Sequence, residues 1–92
     1  MGADPEADEL WSPPDAASIH GVLWFVALQQ ALDRDFPGRN ARIVLDCGAR
    51  ADLAIEALRA GLAAVAIAAP ERITGKVTDI AAQLGRRVYL RP

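Results

Sequence analysis

Asp46, Cys47 and Gly48 stand in a row where an apolar run gives way to "ARADLAIEAL". The first two carry side chains with a chemistry. A cysteine at the start of a helix can be lowered in pKa by unpaired N–H groups and attack as a thiolate. A carboxylate at the end of a strand is where α/β proteins often place a group that meets a ligand or metal. The partners such chemistry needs are missing. Cys47 is the sole cysteine, which excludes a Cys-x-x-Cys redox pair, a disulfide within the chain and a multi-cysteine metal site. The sole histidine, His20, stands far upstream, near the start of a predicted helix. The simpler reading packs Cys47 as a small apolar side chain and leaves His20 at the surface or its boundary. It also has Asp46 and Asp52 accept N–H bonds from the following loop and the first helical turn. No second acidic cluster stands nearby to complete a metal site, and no cofactor is implied.

"APERITGKVT" holds Gly75-Lys76, but the phosphate-loop pattern G-x-x-x-x-G-K-[ST] meets Pro70 at its first glycine and Val77 where a hydroxyl is required. The dinucleotide fingerprint G-x-G-x-x-G is absent too, since "DCGARAD" carries a single glycine. What persists is weaker. Arg50 and Arg72 fall in the first turns of two predicted helices whose N-termini share one sheet edge, and free N–H groups beside arginine favour anions. Asp46, Cys47, Gly48, Arg50, Glu71 and Arg72 are therefore the candidate set for a small anionic or phosphate-containing ligand. No catalytic residue is assigned, because no nucleophile, base and orienting group come together.

The elements that must position these residues alternate. The stretch "GADPEADELWSPP" is acidic with two proline interruptions, so residues 1–12 read as a tail that orders only if Leu10 and Trp11 find a groove. Residues 13–92 form a single domain that opens on a long helix ending near "DRDFPGRN". Then come the strand "ARIVLDC" and a helix with Leu53, Ala54, Ala57 and Leu58 on one face. The strand "LAAVAIAA" leads to a third helix with Ile73, Val77, Ile80 and Leu84 on one face, and "RRVYLRP" closes the chain. The order α-β-α-β-α-β implies a small three-stranded parallel sheet with helices on both faces. "EALRAGLAAVAIAAPE" resembles the helix-strand-turn units of oxidoreductase nucleotide-binding domains and of receiver-type domains. The implied architecture is a Rossmann-like or flavodoxin-like fragment, with no active site carried over. Strand order 1-2-3 is preferred, with 2-1-3 the alternative. Ala64, Ala66 and Ala68 share one face of the middle strand, and the preferred arrangement lays the first helix over them and the other two helices on the opposite face.

Composition limits the function. A net charge of −2 argues against binding duplex nucleic acid, which rewards clustered lysine and arginine. The apolar run Ile19 to Leu28 is about half the ~20 residues of a membrane span, and the acidic start lacks the basic region of a secretory signal. The expectation is a cytoplasmic protein that meets neither membrane nor nucleic acid. The first helix carries two apolar stripes. Trp24, Leu28, Ala31, Leu32 and Phe36 are expected to face the sheet, which leaves Ile19, Val22, Leu23 and Val26 as an association surface. That stripe must meet the tail, a second copy or another protein, because large exposed apolar patches are uncommon on monomers. The leading expectation is a noncatalytic module acting through protein association, as a homodimer. The second is a binder of, or an enzyme acting on, a small anionic ligand.

Overall fold

The computed structural model describes residues 8–91. Along them run β1 (Asp8–Trp11), α1 (Ala16–His20), α2 (Val22–Asp35), β2 (Ala41–Asp46), α3 (Ala51–Ala60), β3 (Ala64–Ile67), α4 (Glu71–Leu84) and β4 (Arg87–Leu90). All four strands are parallel, in the order β1-β2-β3-β4. The α/β class with a parallel sheet is as the sequence implies, and β2, β3 and β4 keep the preferred chain order.

The sheet has a fourth strand, which corrects both the strand count and the tail. Asp8 to Trp11 pair with Ala41 to Val44, and the Ser12 N–H donates to the Val44 carbonyl at 3.0 Å. Residues 1–7 of the expected tail lie outside the described residues. The long first helix is also two helices, broken at Gly21, whose φ of 86° and ψ of 149° suit glycine far better than any other residue.

With β1 in place the helix layer follows from handedness. Right-handed crossovers in a sheet whose order never reverses put every helix on one face. One core accordingly joins Ile43, Leu45, Val65 and Ile67 of the sheet to Phe25 of α2, Leu58 of α3 and Val77 of α4. The helices do not divide between two faces, and α2 does not cover Ala64, Ala66 and Ala68. As a leading helix it was free to take either face; as the crossover from β1 to β2 it has one.

The opposite face of the sheet has no helix among the described residues, although parallel sheets are ordinarily covered on both sides. Val44, Ala64 and Ala66 are nonetheless buried, with Tyr89 packed against them. The Tyr89 ring lies 5.0 Å from that of Trp11. β1 and β4 are three strand spacings apart, about 14 Å, so the two rings meet only by lying across β2 and β3. The alanines leave room for them. The Tyr89 hydroxyl donates to the Glu9 carboxylate, and Arg87 stands 4.0 Å from that carboxylate, so polar groups of both edge strands also meet over the sheet.

A buried amide completes the helix side. Gln29 of α2 donates from Nε2 to the Ala41 carbonyl at 2.7 Å, and its Oε1 accepts from the Ile43 N–H at 2.8 Å. β3 pairs with β2 only from Val44 onward. The Gln29 side chain thus takes the place of a strand where β2 extends beyond its neighbour.

Candidate functional site

The carboxyl edge of the sheet holds the six residues singled out for a ligand, and the structure commits most of them elsewhere. Asp46 ends β2 and is 2% exposed. Its Oδ1 accepts the N–H of Asp15 at 3.1 Å and of Gly48 at 2.9 Å, and Oδ2 pairs with the Arg91 guanidinium. Burial alone would push its pKa up. The N–H groups of Asp15 and Gly48 and then Arg91 outweigh that, so the carboxyl is held below its ordinary value. The carboxylate thereby ties the β1–α1 loop and the residue after β4 to the centre of the sheet.

Cys47 is buried among core residues, and its Sγ lies 3.7 Å from the Leu45 carbonyl. Burial, then the charges of Asp46 and Asp52, raise its pKa to about 12. A thiol that stays protonated in the core is no nucleophile. Gly48 turns the chain with φ +57°, and a Cβ there would fall 1.8 Å from Oδ1 of Asp15. Arg50 forms a two-pronged pair with Asp52, at 3.0 Å and 2.7 Å, on the surface. Glu71 and Arg72 are exposed in the first turn of α4. Arg50, Glu71 and Arg72 are thus exposed, while Asp46 and Cys47 are buried. Among the described residues no group of three or more His, Cys, Asp or Glu side chains is arranged to hold a metal ion.

The apolar surface is the second candidate, and it lies elsewhere than the helical wheel placed it. Val22 is 2% exposed and Val26 packs against the core, so half of the expected association stripe faces inward. Ile19 and Leu23 are exposed, as expected, at 69% and 70%. Of the residues expected to meet the sheet, Trp24 and Phe36 are more than half exposed and Leu28 more than a third. Gln29 is the cause. Its polar side chain reads as solvent-facing, but its three hydrogen bonds hold it inside, and this turns α2 so that Val22, Phe25 and Gln29 face the core.

Beside β1 the surface forms a groove of about 330 Å³, lined by Leu10, Trp11, Trp24, Phe25, Leu28 and Leu32, with Ser12 and His20 at its polar end. A second hollow of about 180 Å³ continues past Leu10 and Leu32 to Phe36. The rings of Trp24 and Phe25 meet edge to face at 4.9 Å, with His20 5.6 Å from Trp24, so the wall is a packed aromatic cluster. Sequence reasoning missed Leu10, Trp11, Trp24, Leu28 and Phe36 as exposed neighbours. Trp11, an aromatic beside a proline-rich turn, is the one sequence signal that points to this part of the surface.

Comparison of the chain with models of known families, with curated proteins and with solved structures gives no match. No helix among the described residues is long and apolar enough to cross a membrane.

Proposed function

We propose that the chain is a noncatalytic α/β module that acts through protein association, as a homodimer joined at the β1 and α2 side. One observation carries the reading: Leu10, Trp11, Trp24, Leu28 and Phe36 are exposed around a groove beside an edge strand. An apolar surface of several hundred Å² with an open strand edge is costly to leave in water and hazardous to leave unpaired. The carboxyl edge supports the same reading from the other side, because its buried carboxylate and thiol are engaged within the fold.

Sedimentation velocity tests it. The 9.8 kDa chain is expected to sediment at about twice that mass at micromolar concentration, and Trp24→Glu to sediment as a monomer. A wild-type monomer up to hundreds of micromolar contradicts the proposal.

A further inference from the structure

We propose that two copies join edge to edge through β1, antiparallel about a two-fold axis at Leu10, so that two four-stranded sheets become one sheet of eight. This rests on the self-association proposed above and specifies its geometry.

The argument begins with the direction of backbone groups. The Asp8 N–H donates to the Asn40 carbonyl and the Ser12 N–H to the Val44 carbonyl, so the even-numbered residues of β1 face β2. In a strand the alternate residues direct both N–H and C=O the other way, which gives Glu9 and Trp11 to the open edge. A second copy must exchange bonds with those two residues. An axis at Glu9 sets two carboxylates directly opposite, which is destabilising. An axis at Trp11 brings Glu9 opposite Pro13, which has no N–H to give. An axis between residues pairs an outward group with an inward one. Only the axis at Leu10 pairs Glu9 with Trp11 of the second copy twice over, as an isologous dimer requires.

Side chains agree with this register. Leu10 meets its symmetry mate on the helix side, where the groove is lined by Trp24, Leu28 and Leu32. On the other face Glu9 is already held by the Tyr89 hydroxyl, with Arg87 4.0 Å away, so its charge does not enter the contact unpaired. From their fractional exposures, Leu10, Trp11, Trp24, Leu28 and Phe36 offer roughly 600 Å² of side chain. With the strand edge itself this approaches the about 800 Å² that each partner of a standard interface buries. The β4 edge is less suited, because of the large exposed apolar side chains only Leu90 lies on that strand.

Directly opposed residues without mutual hydrogen bonds have Cα atoms about 4.5 Å apart, within the span of a disulfide. Leu10→Cys is therefore expected to form a covalent dimer under mild oxidation at least tenfold faster than Leu23→Cys, a control on exposed α2. Cys47 does not compete, being buried with a pKa of about 12. Glu9→Pro removes one outward N–H without touching the β2 ladder, and is expected to raise the dimer Kd at least tenfold. If the wild type sediments as a dimer while Leu10→Cys cross-links no faster than the control, or Glu9→Pro dimerises unchanged, the edge geometry is overturned and self-association stands. If the wild type is a monomer and neither cysteine cross-links, both fail.

Discussion

Asp46 and Cys47 are neighbours with opposite fates. The carboxylate is charged in the interior because two N–H groups and a guanidinium solvate it, while the thiol beside it stays neutral. A carboxyl with a lowered folded-state pKa contributes stability above its ordinary value of 3.8, and that contribution is lost as pH falls through the folded value. Asp46→Asn keeps an oxygen for Asp15 and Gly48 but loses the pairing with half-exposed Arg91. It is expected to cost about 1–2 kcal/mol at pH 7. Urea denaturation of both proteins against pH checks this, with the difference shrinking below about pH 4. Cys47 is expected to resist a thiol reagent at pH 8 in the native state and to react on unfolding, which absorbance at 412 nm with a disulfide reagent reads directly. The strand-turn-helix corner at these residues is legible in the sequence, as is the acceptor role of Asp46. Arg91 as its partner is not, because pairing across so long a stretch of chain depends on the sheet order.

Among the elements, β2, α3, β3, α4 and β4 are legible because their apolar periods are clean and glycines stop both helices. Gly61 and Gly85 each take a left-handed conformation and donate N–H groups back to the preceding turn. β1 is hidden by its composition: four residues, two of them acidic, between prolines at 5 and 13. Missing it also assigned α2 to the wrong face. The orientation of α2 is hidden by Gln29, whose polarity marks a bond to β2 and not exposure to water. Gln29→Ala strands the Ile43 N–H and leaves the Ala41 carbonyl with the Arg42 guanidinium alone, at 2.9 Å, and is expected to cost about 1–3 kcal/mol in thermal or urea unfolding. Ala66 tests the helix-free face. It is buried with Tyr89 packed over it, so Ala66→Leu is expected to displace that ring and cost about 1–3 kcal/mol, where a surface strand position would gain or lose little. A melting temperature equal to that of the wild type would mean that the rings of Trp11 and Tyr89 do not cover the sheet.

For the molecule as a whole, one geometric fact organises the rest. A sheet that adds its strands in chain order keeps all its helices on one side, covers the other with the rings of Trp11 and Tyr89, and ends, among the described residues, in two open edges. The β4 strand carries one large exposed apolar side chain, Leu90, and the β1 edge a cluster of them around a groove, so the two differ in what they can accept. The proposed association through β1 would hide in one step the groove, the Leu10 side chain and the backbone of Glu9 and Trp11, which has no partner among the described residues. Amide hydrogen exchange of those two residues, measured at several protein concentrations, addresses this most directly. The account predicts that both amides slow by at least tenfold as concentration rises through the dimer Kd, while those of β4 do not change. Rapid exchange of Glu9 and Trp11 at every concentration would contradict it.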